Sequence, residues 1–140
     1  MYSDAFLDYC ALIDHRLTSL RKSVLFILWH VQRPLKAYEI LNQLLQIKQN
    51  STPPTVYRVL DYFVACGLVH KIESIQSYTL CHDPKQHMPS EILMVCNNCH
   101  QVSETYDPAI RSLVQNLSGQ HGFHIGQDAI ELKGLCRACG

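Results

Sequence analysis

Two Cys-x-x-Cys pairs, Cys96/Cys99 and Cys136/Cys139, constrain this chain more than any other feature. Two residues between cysteines let one tight turn aim both sulfurs at one point. Two such turns complete a tetrahedral site suited to zinc. Any fold that uses them must bring residues 136–139 back against residues 96–99. Four protein sulfurs leave no open coordination position, so the ion they imply is structural and not catalytic. A thioredoxin-like redox pair is the alternative, but it belongs beside a βαβ unit that this region does not offer. The cysteines number seven, an odd count. The first residues, MYSDAFLDYCALIDHR, are amphipathic and carry three acids, which is not the pattern of a signal peptide. Metal ligation in a reducing, cytoplasmic compartment fits these facts better than a disulfide framework.

The region around the pairs reads as a small α/β module over residues 92–140. Ile92–Val95 and Gln101–Thr105 have the composition of strands. Asp107 is placed to cap a helix with Pro108 at its first position, and that helix carries Ile110, Leu113, Val114 and Leu117. Ala129–Leu132 supplies a last strand. A module of this size cannot bury a generous core, so zinc and pairing with a second copy are expected to contribute. Residues 83–91 are polar, contain proline, and read as a linker loop.

Residues 1–82 have a different pattern. Phe6, Leu7, Leu12 and Ile13 mark a first helix over 3–15. Thr18 or Ser19 caps a second, with Leu17, Leu20, Val24, Ile27, Leu28 and Val31 at helical spacing and Arg33-Pro34 as its end. A third runs from Tyr38 to Ile47, burying Ile40, Leu41, Leu44 and Leu45. A fourth opens with Ser51 or Thr52 as cap and Pro54 in its first turn. It packs through Val56, Leu60, Phe63 and Val64, and Gly67 stops it. Leu68–Ile72 and Ser77–Leu80 then form a hairpin about Glu73–Gln76. Helices followed by such a hairpin describe a winged helix-turn-helix domain. The whole chain is therefore expected to be α+β, a winged helix followed by a small α/β dimerisation domain.

Net charge is zero, yet its distribution is uneven. Residues 15–78 hold eight Lys/Arg against three Asp/Glu, a net +5, and the rest of the chain balances it. A basic module beside an acidic one suits a DNA-binding half joined to a regulatory half. On the fourth helix Thr55, Arg58 and Tyr62 share one face, with Tyr57 and Asp61 beside them. Arg58 can hold a guanine edge or a phosphate, Tyr57 a base methyl or a phosphate, and the helix N-terminus favours a phosphate. No apolar run reaches the roughly 18 to 20 residues that span a bilayer.

A second group of metal-ligating side chains is looser. His70 and Cys81 sit at the ends of the hairpin, His87 in the linker and Glu104 in the C-terminal module. No short motif joins them. What unites them is topology, because an ion held by all four would join the two halves and fix their angle.

Taken together, PPTVYRVLDYFVACGLVHKIES followed by SYTLC, the VCNNCHQVSE segment and the closing ELKGLCRAC resemble the ferric uptake regulator family over nearly the whole chain. Within the family the sequence looks most like the zinc uptake regulators. The resemblance implies a winged helix, a dimerisation domain and metal-dependent binding of a homodimer to double-stranded operator DNA. It implies structural zinc on Cys96, Cys99, Cys136 and Cys139, regulatory zinc on His70, Cys81 and Glu104, two ions per protomer, and operator contacts by Tyr57 and Arg58. Thr55 joins that DNA-facing set. The fourth regulatory ligand departs from the pattern: the expected histidine aligns near Pro89, His87 lies two residues earlier, and His82 is a lesser substitute. The His-x-His run of iron-type members is replaced by Glu91-Ile92-Leu93-Met94-Val95, and His121 and His124 read as surface residues. The Cys81 thiolate favours zinc over ferrous iron. The expected activity is zinc-responsive repression of zinc-uptake genes, with no catalysis, no small-molecule substrate and no membrane. The rivals are a sibling regulator for iron, manganese or peroxide and, more remotely, a zinc hydrolase or deaminase, which needs an open metal position. Cys10 and Cys66 read as packed thiols.

Overall fold

The computed structural model describes residues 2–13, 16–81, 92–126 and 129–140. The linker assigned to 83–91 lies outside them, as do His82, His87 and Pro89. The chain forms two compact units, Met1–His87 and Met88–Gly140.

The first unit is built from four helices and a hairpin: α1 (Asp4–Leu12), α2 (Ser19–Val31), α3 (Ala37–Leu45), α4 (Pro53–Ala65), β1 (Val69–Ile72) and β2 (Ser77–Leu80). Each helix starts for a visible reason. Ser3 Oγ accepts from Phe6 N–H at 3.3 Å, and Thr18 Oγ1 accepts from Arg21 N–H at 3.3 Å. Glu39 reaches back to accept from Lys36 N–H at 2.9 Å, which starts α3 one residue before the predicted Tyr38. Pro53 and Pro54 open α4 after Thr52. Helix α4 ends in a Schellman turn. Gly67 takes φ +79°, its N–H donates to Val64 O at 3.1 Å, and Leu68 N–H donates to Phe63 O at 2.9 Å.

The helices close on one apolar core. Phe6, Val24, Leu25, Leu35, Ile40, Leu44, Leu60 and Phe63 are wholly buried in it. Each such side chain contributes about 1.5–3 kcal/mol on leaving water. On one side Tyr2, Phe6, Phe26 and Trp29 form an aromatic cluster with neighbouring ring centroids 5.0 to 6.3 Å apart. Several expected positions are corrected. Val59, not Val64, completes the buried stripe of α4, because Val64 is turned outward. Ala37 replaces Leu41 and Leu45 on the buried side of α3, and both leucines are only half-buried. Leu7 and Leu12 of α1 are exposed. The hairpin is antiparallel with Val69 opposite Leu80, and Leu35 adds an isolated bridge to Tyr78 that the sequence did not signal. A short 3-10 turn, Glu73–Ile75, and Gln76 at φ +49° join the two strands.

The second unit holds β3 (Ile92–Cys96), β4 (Val102–Thr105), α5 (Pro108–Gln120) and β5 (Ile130–Gly134). The sheet order is β4-β3-β5, antiparallel between β3 and β4 and parallel between β3 and β5. The central strand reads ILMVC, nearly continuous in apolar residues, as a strand flanked on both edges requires. Asp107 Oδ1 accepts from Ala109 N–H at 2.9 Å and starts α5. The expected apolar face of that helix is not a core face. Ile110, Leu113 and Leu117 are exposed, Leu113 to 67%. Its buried residue is Arg111, whose Nη2 donates to Gly126 O at 2.6 Å.

Candidate functional site

The four-cysteine centre grows out of the sheet. Strand β3 ends at Cys96, directly paired with Gly134 at the end of β5. Each strand therefore runs out into one Cys-x-x-Cys turn at the same edge. The first turn is closed by His100 N–H on Cys96 O at 3.0 Å, with His100 at φ +62°. The second is closed by Cys139 and Gly140 N–H groups on Cys136 O at 3.0 and 2.8 Å. The sulfurs of Cys96, Cys99, Cys136 and Cys139 all lie within 4.8 Å of one another. Cys99 Sγ and Cys136 Sγ are 3.8 Å apart. A tetrahedron with zinc–sulfur bonds of about 2.3 Å has edges of about 3.8 Å, so the cage matches the ion in size and donor type.

Hydrogen bonds prepare this cage for charge. The Cys96 thiol is lowered to about 6, chiefly by the Cys136 N–H (N···Sγ 3.4 Å) and then by the Cys99 N–H. At Cys99 the largest influence, the Gln101 N–H, also lowers the pKa. Proton sharing with Cys96, desolvation and contacts with Cys136 and Cys139 outweigh it and raise the thiol to about 11. Four close thiols cannot all ionise without a cation among them. One further donor reaches across the turns: Asn98 Nδ2 lies 3.4 Å from Cys139 Sγ.

In the first unit, the hairpin brings His70 and Cys81 together. His70 pairs with Thr79, and Cys81 N–H continues the ladder onto Leu68 O at 2.8 Å. Cys81 is thus the diagonal neighbour of His70 on one face of the hairpin. Both are buried, and their ligand atoms lie within 4.8 Å. In the second unit, Glu104 stands on β4 opposite Leu93, half-buried. His87 falls outside the described residues. His121 and His124 are exposed. Cys10 and Cys66 are half-buried against the rim of the first unit's core.

The outer face of α4 presents Tyr57, 48% exposed, and Arg58, also exposed. Among the described residues Arg58 has no ion-pair partner, so its guanidinium is available. Thr55 is half-buried with its hydroxyl 2.9 Å from that of Thr52. Tyr62 is covered: the Arg21 guanidinium lies 3.6 Å over its ring, which removes it from the open face. The phosphate expected at the helix N-terminus has few donors to meet, because Pro53 and Pro54 have no N–H and Val56 N–H is spent on Thr52 O.

The sequence pattern of the ferric uptake regulator family matches residues 13–133. This chain belongs to the ferric uptake regulator family. The zinc uptake regulation protein of Escherichia coli K12 is 35% identical over 130 residues, covering 93% of this chain and 76% of that protein. The ferric uptake regulation protein of Cupriavidus metallidurans is 31% identical over 107 residues, 75% and 72% of the two chains. A solved zinc uptake regulator complexed with zinc and DNA has a TM-score of 0.80 at 34% identity, over 94% of this chain and 88% of that one. The fold of a ferric uptake regulator family member, a winged helix followed by an α/β unit, is thus the fold described above. Among the described residues of this family member no helix is long and apolar enough to cross a membrane.

Proposed function

We propose that this protein is a zinc-responsive transcriptional repressor that binds operator DNA as a homodimer and controls zinc-uptake genes. The observation that carries the reading is likeness to a zinc uptake regulator complexed with zinc and DNA over 94% of the chain. Zinc is taken over iron because the ferric relative is less similar over a shorter span and because a Cys81 thiolate prefers the softer ion.

In this reading each protomer holds two zinc ions. Cys96, Cys99, Cys136 and Cys139 hold the structural one, a role that four sulfurs at tetrahedral spacing support. His70, Cys81 and Glu104, with His87 as the fourth ligand, hold the regulatory one. The paired positions of His70 and Cys81 on the hairpin favour this set. Bound zinc supplies a redox-inert cross-link between ligands that are far apart in sequence. The chain's own residues do the rest. The Cys81 sulfur and a His70 ring nitrogen, set side by side on the hairpin, make a ligand pair of the kind zinc takes. Once the ligands are gathered, the winged helices are held at the spacing of two operator half-sites, and a coupling of about 1–3 kcal/mol per protomer suffices for a switch. Tyr57 and Arg58 present aromatic edge and guanidinium to the DNA, with Thr55 beside them. The exposed stripe Ile110, Leu113 and Leu117 gives a second copy an apolar surface to cover.

Selection from a random duplex library across buffered free-zinc levels tests the proposal. Wild type should enrich a palindromic sequence only at high zinc, and Cys81→Ser should enrich none at any level. Equal enrichment with and without zinc would overturn the zinc-responsive reading.

A further inference from the structure

Donors to the four sulfurs come from two different sources. Cys96 receives main-chain N–H groups of Cys136, Cys99 and Asn98, and Cys99 receives that of Gln101. Any sequence that folds into these turns supplies such donors. The second turn is less generous, because the N–H groups of Cys139 and Gly140 are both turned to Cys136 O. Cys139 instead has a side-chain donor, the Asn98 amide at 3.4 Å. That amide belongs to the first turn, on the far side of the cage.

We infer that Asn98 is a positioning residue of the four-cysteine centre, donating to the Cys139 thiolate and tying the first Cys-x-x-Cys turn to the second. The inference rests on the reading of the four cysteines as a zinc site. Four thiolates on a dication leave two negative charges on the sulfurs, and thiolates accept hydrogen bonds without donating any. An amide aimed at one sulfur disperses that charge and fixes the rotamer of the last ligand before the chain reaches Gly140. Carbon, an acid or water at position 98 does not do both. Asn98 lies on an exposed turn, so the plain alternative is a solvated loop amide, and the substitutions below do not disturb a core.

The test uses the full-length chain in a Cys81→Ser background, so that only the four-cysteine centre gives sulfur-to-cobalt charge transfer. Wild type at position 98, Asn98→Ala, Asn98→Asp and Asn98→Gln are loaded with cobalt(II) for spectroscopy and with zinc for chelator competition. Loss of the donor raises the energy of the sulfur lone pairs. The charge-transfer band of Asn98→Ala should therefore move to longer wavelength, and zinc affinity should fall about tenfold. Asn98→Asp keeps the shape, loses the donor and adds a like charge, so it should lose more. Asn98→Gln keeps an amide and should recover part of the affinity. An unmoved band and unchanged affinity in both Ala and Asp variants would make Asn98 a solvated loop residue and overturn the inference. A reference protein whose cobalt spectrum lacks four thiolate ligands would overturn the zinc reading itself, and the two failures are distinct.

Discussion

The two units of this chain are held together by different physics. The first encloses a continuous hydrocarbon core, with eight side chains at zero exposure and an aromatic cluster on its flank. The second buries Ile92, Leu93, Val95 and Cys96 of its central strand and leaves Leu113, Leu117, Leu132 and Leu135 more than half exposed. What the second unit has in place of a core is a cage of four sulfurs at the end of its sheet. The lesson is that a chain can divide labour. One half is stable by burial, while the other buries less and, in the reading proposed above, draws on an ion and a second copy.

The sharpest way to break this comparison is to remove the cage. Cys136→Ser should abolish protection of β3 and β5 amides from hydrogen exchange while leaving α2 and α4 protected, since structural zinc is worth about 10–16 kcal/mol of apparent binding free energy. Retained protection in β3 would mean that the sheet stands without metal. The reciprocal change is Phe63→Ala, which empties the first unit's core. It should cost about 3–5 kcal/mol in denaturant unfolding with zinc content unchanged. Leu113→Glu tests the neighbour: sedimentation should show self-association weakened at least about tenfold, the equivalent of about 1.4 kcal/mol, with cobalt spectra unaltered.

Smaller effects sharpen the description of the first unit. Gly67 sits at φ +79°, so Gly67→Ala should lower stability by about 1–2 kcal/mol through backbone strain. The last concerns pH. Burial first, then the nearby Cys81 and Cys10, pushes the Tyr9 phenol up to about 12 from the usual 10. A folded pKa above the unfolded one means that its stabilisation is whole below pH 10 and is lost as pH rises through 12. Stability measured from pH 9.5 to 12 should therefore fall less steeply in Tyr9→Phe, and identical slopes would refute this assignment.

Much of this was legible in the sequence, for identifiable reasons. Caps and stops are local, so Thr18, Pro54, Gly67 and Asp107 announced their helices. The four cysteines announced a shared point because their spacing encodes two turns. Positions decided by packing were harder. Val59 and Val64 are both apolar on one helix, and only the direction of the neighbouring elements settles which is buried. The stripe Ile110, Leu113, Leu117 reads as a core face in any periodicity analysis, because sequence records that a surface wants covering and not what covers it. Arg21 over Tyr62 and the Leu35–Tyr78 bridge join residues distant in the chain and left no local signal. Asn98 carried a faint one, an amide between two thiols.

The parallel pairing of β3 with β5 has a kinetic consequence. Residues 92–96 must find residues 130–134 across an intervening helix, which is a slow kind of search. A shift of one residue in that pairing would swap the faces of the strand and carry Cys136 and Cys139 about 3.3 Å along it. The sulfurs would then miss one another. Only the native alignment brings the four sulfurs within reach of one ion, so under the zinc-site reading proposed above, metal capture would proofread the sheet by trapping that alignment alone.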